Sequence, residues 1–445
     1  MADIIGNERR YNCLTDEMKI RAYASSLAHD ERISDLFPQN SQNITSSGTG
    51  ASVPNQTVFL IDQEDMLLPI SSNFEFDFAA GATTSSFKRW GAYGLILNMR
   101  VYVASTLTDM FQYYNFSSLS LIDLNCTIAG AQYGWKSGIP PQGNLYLNNS
   151  IANQTMTMKI PLGLLSHGAL LPTYIMDKIK IEIDWAPASV AMYDNAGATP
   201  SYTISNLRYK AHYYRLDPAF TASLQNGLRT TPLDIANISY KFNQLGVNSG
   251  SGFGQQKINL TVRSLKWILA MSQDISNYSS STQDVLFDSE WLGTGFGTTA
   301  QLKIGNLVYP LKPLSIGGPS FEAVNRCYNQ INAFKDTHNV QSYSQYLGVL
   351  GTAGNYASFS STLGNSVNAT GGASIASKCY LGFNTESFAS QDVQTGVSTL
   401  SRDVLLAIYP NSTHPTVNTT KYIYTFGYFD SIYQLLSPFD GVVEE

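Results

Sequence analysis

Residues 178–185 read Lys-Ile-Lys-Ile-Glu-Ile-Asp-Trp, with an apolar residue at every second position. Ile179, Ile181, Ile183 and Trp185 therefore share one face of an extended chain, and Lys180, Glu182 and Asp184 share the other. So strict an alternation fits a strand with one face in a core and one toward water. The same rhythm spreads outward. Upstream, Phe74, Phe76 and Phe78 alternate with Glu75 and Asp77, while Leu95, Leu97, Met99, Val101 and Val103 oppose Asn98 and Arg100. Downstream, Leu207, Tyr209, Ala211 and Tyr213 face away from Arg208, Lys210 and His212.

The pattern pauses at Asp217-Pro218 and a polar stretch ending at Thr231, then restarts. Ile238, Tyr240 and Phe242 form one face. Ile258, Leu260 and Val262 oppose Lys257, Asn259, Thr261 and Arg263. Leu302 and Ile304, residues 402–408, and Tyr422, Tyr424, Phe426 and Tyr428 follow. Strands separated by turn-rich loops, with few helices, predict an all-β chain of two consecutive sandwiches. We place the first at 56–217, a linker at 218–232 and the second at 233–445. One segment breaks the rhythm. After Pro319, the residues Phe321, Val324, Tyr328, Ile331 and Phe334 recur at helical spacing. This predicts a helix over 319–335, packed on the second sandwich through Phe321, Val324, Tyr328 and Ile331. Residues 1–55 read as an arm. Ile20, Tyr23, Ala24 and Leu27 fall at i, i+3, i+4, i+7, which predicts a short amphipathic helix, and Ile33, Leu36 and Phe37 form a second apolar cluster. A Ser/Thr/Asn/Gly-rich connector over 39–53 leads into the first sandwich, and the arm is expected to serve assembly. Two long polar insertions, 134–153 and 348–377, read as outward loops.

Composition narrows the functions available. Only 13% of the 445 residues are charged, against 43% hydrophobic, and the net charge is −6. No run of like charges forms a basic arm, so sequence-specific or condensing contact with nucleic acid is not expected. No apolar run is long enough for a spanning helix. Residues 1–14 lack an apolar signal-peptide core, so a secreted protein is not expected. Cys13, Cys126, Cys327 and Cys379 lie far apart and read as reduced structural thiols. His29, His167, His212, His338 and His414 are too scattered for a metal motif, and no cofactor is implied. Ser166-His167 is no nucleophile elbow, because neighbouring side chains point apart. Glu182 and Asp184 are the acids a glycosidase would draw on, with aromatic loop residues for stacking sugars, but a solvated strand face explains them more simply. The composition thus favours a structural protein over an enzyme.

Several segments, taken in order, resemble the double jelly-roll major capsid proteins of the adenovirus–tectivirus lineage, and most of all the Polinton-like virus, adintovirus and virophage branch. They are residues 56–70 (Gln-Thr-Val-Phe-Leu-Ile-Asp-Gln-Glu-Asp-Met-Leu-Leu-Pro-Ile), Ile160-Pro-Leu-Gly-Leu-Leu-Ser166 and Leu170-Leu171-Pro172. The strand at 178–185, residues 202–218, Tyr309-Pro310 ahead of the helix, and residues 381–388 before 396–408 continue the series. The resemblance implies two eight-stranded jelly rolls in tandem and a homotrimer forming a pseudo-hexagonal capsomer. It further implies an icosahedral shell in the virion, assembled inside the host cell. Its partners would be other capsomers, minor capsid and penton proteins, and in some members an internal membrane. A secreted or surface carbohydrate-binding β-sandwich protein is the alternative reading.

Overall fold

The computed structural model describes residues 28–47, 56–81, 85–88, 91–115, 154–160, 162–194, 198–228, 231–248, 250–252, 254–274, 299–315, 323, 327, 380–386, 396–409 and 420–444. The first half contributes β1 (Ala28–Leu36), β2 (Ile44–Ser47), β3 (Gln56–Leu60), β4 (Met66–Leu67), β5 (Asn73–Ala80) and β6 (Ser85–Phe87). It continues with β7 (Ile96–Val103), β8 (Thr106–Gln112), β9 (Gln154–Met158), β10 (Ile179–Trp185), β11 (Met192–Asp194) and β12 (Ser201–Leu216). The second half contributes β13 (Leu233–Val247), β14 (Gly254–Ile258), β15 (Leu265–Asp274), β16 (Thr299–Ile304) and β17 (Leu307–Ser315). Then come β18 (Tyr380–Asn384), β19 (Val404–Tyr409), β20 (Lys421–Ser437) and β21 (Asp440–Glu444).

The sheet orders repeat. In the first half one sheet runs β1-β12-β5-β9 and the other β3-β10-β7-β8; in the second they run β13-β20-β15-β18 and β14-β19-β16-β17. The short β2 and β4 and the terminal β21 add to these frames, while β6 and β11 pair with each other. Numbering the remaining eight strands within each half gives 1-8-3-6 facing 2-7-4-5, both times. That winding is a jelly roll, and the chain makes it twice.

Alternation places the core between each pair of sheets. Ile179, Ile181, Ile183 and Trp185 are all buried, as are Phe74, Phe76 and Phe78 opposite them. The Trp185 ring meets Phe76 edge-on at 6.3 Å, and its indole N–H donates to Thr57 Oγ1 at 2.7 Å. In the second roll Trp267 stacks on Tyr428 at 5.0 Å. The two rolls share one apolar interior. Phe111 meets Tyr240 at 5.2 Å, Tyr113 stacks on Phe242 at 4.5 Å, and the Tyr240 hydroxyl donates to the Gln112 carbonyl at 3.0 Å.

Three expectations need correction. The arm does not extend to residue 55. β1 pairs along β12 from Ala28↔Leu216 to Leu36↔Tyr209, and β2 pairs with the other end of β12. Residues 28–47 thus belong to the first roll, and β1 is its opening strand. The linker at 218–232 is largely helical: Pro218–Gly227 is helix α1, its N-terminus capped by Asp217 Oδ1 accepting from the Ala219 N–H at 2.7 Å. Phe220 and Leu224, one turn apart, bury its inner face. Finally, the strand through Ile258 stops there; Leu260 and Val262 are buried without extending it.

Candidate assembly edges

The scarce charges are spent in pairs across neighbouring strands. On the outer face of the β7–β10 pair, Arg100 holds Glu182 through Nε and Asp184 through Nη2, each at 3.0 Å, and Lys180 reaches Glu182 at 3.0 Å. Burial would raise the Glu182 carboxyl, but the Lys180 and Arg100 bonds outweigh it and hold it below its usual range. These acids are neutralised structural links, which removes the pair a glycosidase would draw on. On the other sheet Glu75 bridges Arg208 and Lys210, the latter at 2.7 Å, and Asp35 and Glu31 of β1 reach Arg208 and His212. Burial likewise opposes the Lys210 and Arg208 bonds at Glu75, and loses: its carboxyl is also held low.

Other chemistry read from the sequence is not assembled here. Ser166 Oγ donates to the Gly163 carbonyl at 2.9 Å, while His167 bonds to the Ala236 backbone, so the two do not form a nucleophile and base. Among the described residues no three His, Cys, Asp or Glu side chains gather as a metal would need, and no helix is long and apolar enough to cross a membrane. Of the residues expected in the arm, Ile20, Tyr23, Ala24 and Leu27 lie outside the described residues. Leu36 is buried at the end of β1, whereas Phe37 beyond it is 52% exposed, so the two point opposite ways. Phe321, Val324, Tyr328 and Ile331 also lie outside the described residues. Within that stretch Ala323 and Cys327 are helical, and Cys327 is buried.

Exposed apolar side chains gather at sheet edges. The fifth strand of each roll ends its sheet, and in both it carries them: Leu107 and Met110 on β8, Leu307 and Leu311 on β17. Leu311 is 90% exposed. Pro310 and Pro313 on β17 lack an N–H to offer, as suits a strand with one unpaired side. β21 lies beside β8 and adds Val442, with Phe439 in the turn before it. On the opposite sheet of the first roll the edge strand β1 exposes Ile33, with Phe37 just past its end. Unpaired edges lined by apolar residues pair with other chains unless something covers them. Of these edge residues the sequence pointed only to Ile33 and Phe37, in the arm's second apolar cluster. Recognising the same strand in two rolls would have been needed, and the halves look unlike by eye.

No family model matches the chain, and no curated protein does. Solved structures match its fold over nearly all its length. PBCV-1 VP54, in a crystal structure fitted into a cryo-EM reconstruction of the virophage Sputnik, is 10% identical with a TM-score of 0.54, over 94% of this chain and 97% of that one. The mavirus major capsid protein is 9% identical with a TM-score of 0.52, over 93% and 90%. The Sputnik virophage structure determined by cryo-EM gives 9% and 0.52, over 94% and 89%. The tandem jelly rolls read from the sheet order are the fold these chains share.

Proposed function

We propose that this chain is a viral major capsid protein, located in the virion shell and without enzymatic activity. One observation carries the reading: the same eight-stranded roll occurs twice, fused through a common interior, with apolar residues exposed on the same edge strand of each. A chain with two like edges can meet copies of itself in two nearly equivalent ways, and a closed ring of such contacts ends at a finite tile. Three copies would bring six rolls together and give a pseudo-hexagonal outline suited to paving a curved shell. The fold likeness to the mavirus major capsid protein supports the capsid reading. Further contacts, with other capsomers and with minor capsid and penton proteins, belong to the same proposal.

Negative-stain imaging of particles purified from cells that make this chain, with mass spectrometry of their main band, tests the reading. Closed shells in which this chain is the dominant protein are expected. A chain that stays outside all particles and is retained on immobilised glycans would instead establish the carbohydrate-binding alternative.

A further inference from the structure

The second roll holds a lysine, a glutamate and an aspartate together in its interior. Lys266 Nζ lies 2.7 Å from Glu386 Oε1 and 3.2 Å from Asp430 Oδ1. The Lys266 side chain is 2% exposed and that of Glu386 0%, with Asp430 at 13%. The three come from β15, the segment just past β18 and the middle of β20, stretches far apart in sequence. Local backbone aims them. The pairing of β15 with β20 slips between Leu265 and Trp267, so Lys266 is the extra residue of a bulge, a device that re-aims a side chain. Thr385 clasps that bulge: its N–H and hydroxyl both reach the Lys266 carbonyl at 2.8 Å, which sets the neighbouring Glu386 against the amine. Gly396 presses from the other side, where a Cβ would lie 2.5 Å from the Leu265 carbonyl oxygen. Ser264 Oγ donates to Asp430 Oδ2 at 2.6 Å and fixes the carboxyl plane. Cys327, fully enclosed, lies close enough to feel the Glu386 charge.

We propose that Lys266 and Asp430 condense into an intramolecular isopeptide bond, with Glu386 carrying the proton. The ammonium first gives a proton to Asp430, leaving an amine and a carboxylic acid; burial, which pushes the Asp430 carboxyl up, favours that acid form. The Lys266 nitrogen attacks Asp430 Cγ. Glu386 takes the second amine proton as the N–C bond forms and passes it to the hydroxyl that departs as water. One N–C bond forms, one C–O bond breaks, one water leaves, and nothing is oxidised or reduced. Two features drive the step forward. Enclosure holds nucleophile and electrophile in near contact at a high effective concentration. Condensation also removes two opposite charges from a dry interior, where an ion pair is costly to keep. The bond would staple β15 to β20 inside each second roll, whether or not the chain builds capsids.

Trypsin digestion of the denatured full-length chain tests this directly. Cleavage after Arg263, Lys266, Lys303 and Lys421 releases 264–266, 267–303 and 422–445 separately from an unlinked chain. The bond blocks cleavage at Lys266 and yields 264–303 joined to 422–445, lighter by one water than the sum. The linked species is expected in most of the wild-type protein; separate peptides at full mass would overturn the proposal. Glu386→Gln is expected to leave the peptides unlinked, and a fully linked variant would overturn the role of Glu386. The wild-type digest decides the bond itself even if that variant fails to fold.

Discussion

Gly163 adopts φ 72°, and a Cβ there would fall 2.6 Å from the Asp109 carboxylate, which accepts the Leu164 N–H at 2.9 Å. Gly163→Ala therefore combines left-handed strain with a clash and should cost more than about 1 kcal/mol in chemical denaturation. Gly168→Ala, with nothing within 4 Å of its Cβ, is the neutral control. His167, between the two, ties the first roll to β13 through Ala236, while the Gly163 N–H donates to Ile238 at 2.9 Å. Burial lowers its pKa from 6.5 to about 4, against the pull of the Ala236 bond. The folded ring is thus neutral where the unfolded one begins to charge. This contribution is intact above the unfolded pKa, falls as pH drops from 6.5 toward 4, and levels off below. Denaturation midpoints measured across that window should decline less steeply in His167→Gln. Parallel curves for the two proteins would show that the ring titrates freely in the fold. Glu75 and Glu182, held below their ordinary 4.5, begin to lose their contributions as pH falls through that value, so they add to the decline only at the acid end of the window.

Between elements, the junction of the rolls is aromatic. Phe111→Ala removes a ring buried against Tyr114 and Tyr240 and should cost about 3–5 kcal/mol. If both rolls rely on the shared interior, thermal unfolding of this variant stays a single transition at lower temperature; two separated transitions would mean the rolls fold independently. The strand β1 gives a second test. Removing residues 1–27 should leave a soluble body with near-normal melting. Removing 1–47 strips β1 and β2 from β12 and should give insoluble or molten protein, and a well-folded product would deny β1 its structural part. The sequence hid this strand for a physical reason. Its inward positions, Arg32, Ser34 and Leu36, are mostly polar, and its outward positions Glu31, Ile33 and Asp35 mix one apolar residue with two acids, so no alternation like that of β10 shows. Arg32 is accommodated over the Tyr213 ring at 5.1 Å, a contact no periodicity announces. The linker reading misses helix α1, although its signals stand in the sequence: Asp217-Pro218 is a cap followed by a first-turn proline, and Phe220 and Leu224 follow at one-turn spacing. The strands β5, β7, β10 and β12 could be read because each meets core on one face and water or paired charges on the other. Lys266 and Asp430 could not, since their significance arises only when β15, β18 and β20 converge.

At the scale of the whole molecule, the low charge fraction and the exposed edges demand one explanation. With 27 Lys and Arg in 445 residues, and many of the described ones already joined in cross-strand pairs, few remain to guard unpaired strands. β8, β17 and β1 all lie at sheet ends, and all show apolar side chains to solvent. Isolated, such a surface would aggregate; covered by like surfaces in a closed ring, it becomes the interface. Native mass spectrometry or mass photometry should then find a species of three times 48.8 kDa that persists on dilution. Leu311, 90% exposed, contributes little to the fold of one chain, so Leu311→Glu should leave melting of the monomer almost unchanged. At an edge buried between copies the same substitution desolvates a charge. It should raise the dissociation concentration by about tenfold or more, equivalent to about 1.4 kcal/mol. The paired change Met110→Glu on β8 should act in the same direction, because β8 is the counterpart of β17 in the other roll. A wild-type chain that stays monomeric at micromolar concentration would leave these edges without the role assigned to them. Unchanged association in both variants would place the contacts on other faces of the two rolls.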